Sequence, residues 1–173
     1  HITKISVDNP KTPPMFCMLL RKHIGGGKLI DIRQDGLERI LYLDFECVNE
    51  LGDVVTITLA CEIMGRCSNL VVINQEGKII DSIKRVDPEM SRERIILPNT
   101  CYQLPPREER LNFLEADKIT IANRIKSTEP AELSKALIKV FEGISPILAR
   151  EWAYYTSKGE YLKSSDITPE HIN

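Results

Sequence analysis

An arginine and two small polar residues separate two apolar segments in EIMGRCSN, residues 62–69. Gly65 permits close approach of the backbone, and Arg66 carries a forked guanidinium that suits a phosphate. Ser68 and Asn69 add short side-chain donors. The segment could therefore hold a phosphate or another partner, and an ordinary turn between two strands is the alternative interpretation.

The distribution of charge makes this arginine unusual. The net charge is −2, but residues 1–39 carry seven basic residues against four acids. Residues 40–77 carry one basic residue, Arg66, against six acids. A phosphate contact at Arg66 would therefore be local, since its neighbours supply no general positive field.

A second candidate is GLERI, residues 36–40, where Glu38 and Arg39 stand at the start of a predicted strand. Successive side chains of a strand point to opposite faces, so we expect these two to point apart. An arginine there could hold a phosphate or a base edge through two parallel hydrogen bonds. A solvated pair at the edge of a sheet is the alternative.

A third candidate is FEGISPILA, residues 141–149, between two predicted helices. An apolar residue, a glycine, an apolar residue and a small residue form the skeleton of a helix-hairpin-helix turn. Such a turn aims backbone N–H groups, here near Gly143 and Ser145, at a nucleic-acid phosphate. The usual second glycine is Ser145, and a plain helical hairpin with a good N-cap fits the pattern as well.

No catalytic pattern is present: the sequence has no G-x-S-x-G, no phosphate loop and no H-E-x-x-H. We therefore expect no enzyme and no cofactor. The five cysteines form no C-x-x-C pair and lie far from the three histidines, which favours reduced thiols in the cytoplasm and no metal site. No apolar run approaches the roughly 18 residues of a membrane span. Because the sequence begins with His1 and not with Met, we expect a fragment.

The periodicity predicts strands followed by helices. Residues 1–12 fit a strand end and a turn, and a helix follows over 13–24, with Met15, Met18, Leu19 and Lys22 on one face. Alternating or β-branched runs then predict an antiparallel meander with strands over the following segments: 28–34, 36–50, 54–63 and both arms of a hairpin that turns at 75–78.

The second half of the chain has a different pattern. Residues 95–114 contain three prolines and lack periodicity, which predicts a long ordered connection or a linker. Helices are predicted within 114–127, over 130–143 with Leu133, Leu137, Val140 and Phe141 on one stripe, and from Ser145 and Pro146 to 159. We therefore predict an α+β chain with a β-rich domain over 1–110 and a helical unit over 111–173.

Seven segments occur in the order seen in the NFACT family, whose bacterial members were long called fibronectin/fibrinogen-binding proteins. The chain resembles this family from His1 to at least residue 153, through the following segments: PPMFCMLLRKHIGGG, GLERI, NELGD, EIMGRCSN, IIDSIKRV, ILPNTCYQLPP and FEGISPILA.

This resemblance implies a ribosome-quality-control factor. The family binds a large ribosomal subunit that holds a stalled peptidyl-tRNA and recruits tRNA, alanyl-tRNA in bacteria, to extend the chain without mRNA. Its N-terminal domain resembles the β-sandwich of formamidopyrimidine-DNA glycosylases, followed by a helix-hairpin-helix unit. The Asp-Arg pair that the family uses for tRNA falls on Glu38 and Arg39, and its E-I-M-G-R-x-S-N falls on Glu62 to Asn69.

The sequence also departs from the family pattern. Glu38 replaces an aspartate, which lengthens the arm of the tRNA-binding pair, and Cys67 replaces a histidine or tyrosine. The family's opening strands, its coiled coil and its C-terminal domain are not in the sequence, so we expect an unpaired sheet edge through which the fragment could form a homodimer. The coiled coil and the C-terminal domain would also carry much of the ribosome docking.

The expected RNA contacts are Glu38, Arg39, Arg66, Ser68 and Asn69, with Gly143 and Ser145 as further phosphate contacts. A surface adhesin for fibronectin or fibrinogen is the alternative that the older family name suggests. A DNA glycosylase-like enzyme would need an N-terminal catalytic residue that the sequence does not contain.

Overall fold

The chain forms two units, and the computed structural model describes Lys4, Asp8 and residues 10–106 and 109–172. A sheet unit contains residues 1–34 and 40–106, and a helical unit contains residues 35–39 and 107–173. The loop that joins the first two strands therefore groups with the helical unit, and the predicted boundary at 110 stays a prediction. Most of the strand end and turn predicted over 1–12 lies outside the described residues.

Five antiparallel strands follow one another in chain order across a single sheet. Their bounds are β1 Lys28–Gln34, β2 Ile40–Val48, β3 Val54–Glu62, β4 Asn69–Ile73 and β5 Ile79–Ser82. The predicted meander is confirmed. The described residues contain one sheet, so no second layer of a sandwich is seen among them, and the likeness to the glycosylase domain stays a prediction.

Alternation along the strands buries side chains on both faces of the sheet. Val71 and Val72, which are adjacent in β4, belong to different apolar clusters. One cluster contains Ala60, Val71, Ile73, Ile79 and Ile96, with Tyr42, Val86 and Tyr102 packed against it. The other contains Cys47, Ile57 and Val72, with Phe16, Leu19, Leu20, Ile24, Phe45, Val55, Leu59 and Ile80 around it.

Helix α1, Met15–His23, covers the second of these clusters. It begins after Pro14, and Gly25 follows close to its end. The predicted face was wrong in part: Leu19 packs on the sheet, but Met15 and Met18 are 80% and 49% exposed. Phe16 packs against the apolar face of the sheet instead.

The proline-containing connection after β5 is ordered where it is described. Val86 forms an isolated bridge with Ile96, and Lys78 forms another with Cys101. Ile96 is buried in the sheet core. Residues 95–106 therefore pack along the sheet unit, which confirms an ordered connection for this part of the predicted segment.

The helical unit contains α2 Lys118–Lys126, α3 Leu133–Val140 and α4 Pro146–Ser157. All four residues of the predicted α3 stripe are buried, which confirms the stripe. Phe113, Phe141 and Trp152 meet edge to face in the core, with ring centroids 4.9–6.2 Å apart. The tail forms 3₁₀ turns at Ser164–Asp166 and Pro169–His171.

Candidate nucleic-acid interface

Glu62 ends β3 as a buried carboxylate with a complete set of partners. Arg94 donates to it from both terminal nitrogens, with Nη1–Oε2 at 3.0 Å and Nη2–Oε1 at 2.5 Å. The Tyr102 hydroxyl donates to the same Oε1 at 2.8 Å. A buried charge needs such pairing, because its desolvation is otherwise costly. Glu62 therefore anchors the start of EIMGRCSN inside the protein.

Aromatic rings extend this network across the sheet. The Arg94 guanidinium lies 5.1 Å from the centre of the Tyr102 ring, and the Tyr102 and Tyr42 rings meet edge to face at 6.3 Å. Burial, together with the Glu62 carboxylate that accepts its hydrogen bond, raises the pKa of Tyr102 far above its ordinary value. Tyr102 consequently stays a neutral hydroxyl donor throughout the physiological range.

The segment after Glu62 is a short 3₁₀ turn, Gly65–Cys67. Gly65 has φ +59°, a left-handed conformation that glycine adopts without a steric penalty. The Ser68 hydroxyl accepts from the Met64 amide at 2.9 Å, and the Ser68 amide donates to the Gly65 carbonyl at 3.1 Å. These bonds close the turn from both ends and fix its shape.

Asn69 is a buried brace between this turn and the end of β5. Its side-chain amide donates to the Lys84 carbonyl at 2.8 Å, and its oxygen accepts from the Lys84 amide at 2.9 Å. The Ser82 hydroxyl donates to the same Lys84 carbonyl at 2.9 Å. Asn69 therefore positions Lys84, and direct contact of Ser68 or Asn69 with RNA stays a prediction.

Arg66 is exposed at the middle of the turn. Its backbone carbonyl accepts from the Lys84 ammonium, with Nζ–O at 3.0 Å. Within the described part of the chain, the Arg66 guanidinium makes no hydrogen bond and no ion pair. EIMGRCSN thus uses Glu62, Ser68 and Asn69 for internal bonds and leaves Arg66 available to a partner.

Glu38 and Arg39 do not begin a strand, which corrects the prediction for GLERI. β2 begins at Ile40, and Gly36 has φ +54°, which turns the chain before the strand can start. The Glu38 amide donates to the Asp35 carbonyl at 3.1 Å, so both predicted residues lie in the loop Asp35–Arg39. Glu38 is half-buried, and Arg39 is exposed.

The same loop packs against the turn between α3 and α4. A Cβ placed on Gly143 would lie 2.7 Å from the Leu37 Cβ, and the φ of Gly143 is +72°. Ser145 caps α4 by accepting from the Leu148 amide at 3.2 Å, with Pro146 as the first helical residue. The structure therefore brings GLERI and FEGISPILA together. The assignment of this turn as a helix-hairpin-helix stays a prediction.

The described residues contain no group of three or more His, Cys, Asp and Glu side chains that could hold a metal ion. Burial raises the pKa of the Cys47 and Cys61 thiols, which disfavours the reactive thiolate. Among the described helices, none has the length and apolar character needed to cross a bilayer.

The chain has an α+β fold, and Arg39 and Arg66 are exposed on loops of its two units. The whole chain, residues 1–173, matches the family model described as NFACT N-terminal and middle domains. The chain therefore belongs to the NFACT family.

Two curated relatives are each called Rqc2 homolog RqcH. The chain is 42% identical over 152 residues to the protein from Bacillus subtilis, with 87% of this chain and 26% of the relative covered. It is 38% identical over 156 residues to the protein from Streptococcus suis, with 88% and 28% covered. The chain thus spans about a quarter of the length of these relatives.

Solved structures confirm the fold. The N-terminal part of the fibronectin/fibrinogen-binding protein from Streptococcus suis aligns with a TM-score of 0.75 at 34% identity, covering 88% of this chain and 57% of that chain. The fibrinogen binding protein from Staphylococcus aureus aligns with a TM-score of 0.75 at 29% identity, covering 93% and 57%.

Sequence reasoning missed the residues that brace the site. Arg94 and Tyr102 lie 32 and 40 positions after Glu62, and no local pattern connects them. Lys84 lies 15 positions after Asn69. Its one visible signal was a basic residue near the end of the second arm of the predicted hairpin, in IIDSIKRV.

Proposed function

We propose that this chain is the tRNA-binding module of a cytoplasmic ribosome-quality-control factor. The longer protein would bind a large ribosomal subunit that holds a stalled peptidyl-tRNA and would recruit tRNA for mRNA-independent extension of the stalled chain. Membership of the NFACT family and the similarity to proteins called Rqc2 homolog RqcH support this proposal.

One observation carries the RNA-binding part of the proposal. Glu62, Ser68 and Asn69 are all engaged in internal bonds, while Arg66, in the same segment, points its charge to solvent. A simple connection between β3 and β4 does not need a buried ion pair and a buried amide to fix it. These buried bonds are expected if the turn must hold Arg66 in one place for a partner.

The proposed chemistry is recognition, and no residue of this chain is proposed to be catalytic. Arg66 and Arg39 contact tRNA phosphates or base edges with their guanidinium forks. Glu38 orients Arg39 or accepts a hydrogen bond from a base. Peptide transfer is left to the ribosome.

The RNAs that copurify with the full-length protein test this function. The experiment isolates the protein from cells and sequences its bound RNA, for the wild type, Arg39→Ala and Arg66→Ala. We expect tRNA to be strongly enriched with the wild type and depleted with both variants. Recovery of the same RNAs in the same amounts with all three proteins would contradict the assignment of these arginines, and absence of tRNA from the wild type would contradict the function.

Binding of fibronectin or fibrinogen is the alternative function, because two similar solved proteins carry those names. Direct measurement with purified fibronectin and purified fibrinogen separates the two functions. The proposed function predicts no saturable binding of fibronectin or fibrinogen for which tRNA could compete. It also predicts that the native protein stays inside intact cells. Saturable fibronectin binding together with protein detected on intact cells would support the adhesin.

A further inference from the structure

We propose that Lys84 is a second anion-binding residue of this site and that Lys84 and Arg66 contact the same RNA backbone phosphate. This inference rests on the proposed function and names a residue that lies outside the EIMGRCSN segment. Three observations support it: the hydrogen bonds to the Lys84 backbone, the position of the Lys84 ammonium, and the ion pairs of nearby acids.

The position of Lys84 is fixed through its backbone and not through its side chain. The Asn69 side chain bonds both the amide and the carbonyl of Lys84, and the Ser82 hydroxyl bonds the same carbonyl. Asn69 is 6% exposed, so this brace is shielded from water. Three hydrogen bonds thus fix the backbone of Lys84, two positions after the end of β5.

The Lys84 side chain then turns toward the Arg66 turn. Its ammonium donates to the Arg66 carbonyl at 3.0 Å, so two basic residues of distant sequence position occupy one exposed surface. An ammonium has three donors, and this bond uses one of them. The remaining donors and the Arg66 fork are available to an oxyanion.

Two acids of this part of the sheet unit, Glu62 and Asp81, already have basic partners. Arg94 and Tyr102 occupy Glu62. Arg85 holds Asp81 with two bonds, at 2.9 and 2.8 Å, and lowers the pKa of that carboxyl. Within the described residues, neither Lys84 nor Arg66 forms an ion pair with an acid.

An anion bound by both side chains would be attracted by two positive charges. A backbone phosphodiester suits the arrangement, since its two free oxygens can accept from a guanidinium fork and from an ammonium.

The test measures tRNA affinity of the full-length protein at several salt concentrations. Lys84→Ala keeps every backbone bond of this position, so the variant is expected to fold. We expect about tenfold weaker binding at physiological salt and a slope of log affinity against log salt that is smaller by about one. Lys84→Arg should bind like the wild type.

A matched control and a double variant sharpen the test. Lys78→Ala removes a lysine that pairs with Glu76 in the β4–β5 turn, and it should leave affinity and slope unchanged. If Lys84 and Arg66 share a phosphate, the double variant Lys84→Ala with Arg66→Ala should lose less tRNA affinity than the product of the two single fold losses.

Each other outcome overturns a defined statement. A wild type that does not bind tRNA overturns the proposed function and this inference together. A wild type that binds, with Lys84→Ala equal to it, overturns this inference alone. Losses that multiply in the double variant overturn the shared phosphate.

Discussion

Arg94 holds the buried carboxylate of Glu62 with both terminal nitrogens, although the two residues are 32 positions apart in the chain. Their side chains are 10% and 1% exposed. This pair ties the proline-containing connection after β5 to the last residue of β3. Because Glu62 begins EIMGRCSN, the pair also fixes one end of the segment that presents Arg66.

The first prediction concerns this ion pair. Arg94→Leu should lower the free energy of unfolding by about 3–5 kcal/mol, because it leaves the Glu62 charge buried without its partner. Replacing both residues, Glu62→Met with Arg94→Leu, should restore much of that loss. Urea denaturation followed by circular dichroism measures it. Arg92→Leu is the matched control, since Arg92 is exposed, and it should change stability by less than about 0.5 kcal/mol. An equal effect of Arg92→Leu and Arg94→Leu would contradict the prediction.

The second prediction concerns the contact between Gly143 and Leu37. Gly143→Ala should lower the free energy of unfolding by about 1–2 kcal/mol, because it puts a side chain at positive φ. The clash with Leu37 should lower it by about 1–3 kcal/mol more. Gly77→Ala is the control, because Gly77 has φ +75° and no atom within 4 Å of an added Cβ. It should show the strain alone. Scanning calorimetry compares the variants, and Trp152 fluorescence reports the helical unit. Equal losses for the two variants would argue against the clash.

The third prediction concerns pH and the pair of Arg33 with Asp44. Arg33 bonds the Asp44 carboxylate at 2.6 and 3.1 Å, and the Thr58 hydroxyl also donates to it. The Arg33 guanidinium holds the pKa of Asp44 below its ordinary value. An unfolded aspartate titrates near about 3.9, so around that pH the unfolded chain binds more protons than the native one. The stability that this pair contributes is therefore complete above about pH 5 and is lost as the pH falls through the native pKa of Asp44.

Denaturation of Arg33→Gln between pH 7 and pH 3 checks this sign. The variant should be less stable than the wild type at pH 7, and the difference should shrink as the pH falls below 4, roughly. Lys28→Gln, which changes an exposed residue of the same strand, should keep a small and constant difference. A gap for Arg33→Gln that widens on acidification would be inconsistent with a lowered pKa at Asp44.

The fourth prediction separates the capping role of Ser145 from its predicted phosphate contact. Asp and Asn both cap helices well, so Ser145→Asp and Ser145→Asn should retain the stability of α4 within about 0.5 kcal/mol. Ser145→Asp adds a negative charge beside any bound phosphate and should weaken tRNA binding, whereas Ser145→Asn should not. Filter binding measures both variants. If Ser145→Asp binds tRNA like Ser145→Asn, no phosphate lies at this turn.

Local patterns were enough to predict most elements. The meander follows from alternation and turn residues, and α4 follows from Ser145 and Pro146, which fix its first turn. The sequence predicts a strand from Gly36 onward, which includes GLERI. The sequence does not show that Gly36 takes a left-handed φ and that Leu37 packs against Gly143.

The candidate site was harder to predict, because its braces are distant in sequence. The residue type of Asn69 predicts an RNA contact, which stays a prediction. Its burial and its bonds to Lys84 give it a positioning role that the sequence does not indicate. Nothing near Glu62 indicates Arg94, because a salt bridge across 32 residues depends on the path of a connection without periodicity. Arg66 stood out from charge alone, since no other basic residue lies between positions 40 and 77.

The most direct test of the central claim is the affinity of the full-length protein for tRNA, measured at a fixed ionic strength of about 0.15 M. Filter binding should compare the wild type with Arg39→Ala, Arg66→Ala and the exposed control Arg92→Ala. We predict tight binding by the wild type, losses of about tenfold or more for Arg39→Ala and Arg66→Ala, and no loss for Arg92→Ala. Equal binding by all four proteins, or an equal loss for Arg92→Ala, would contradict the claim that these loops present their arginines to tRNA.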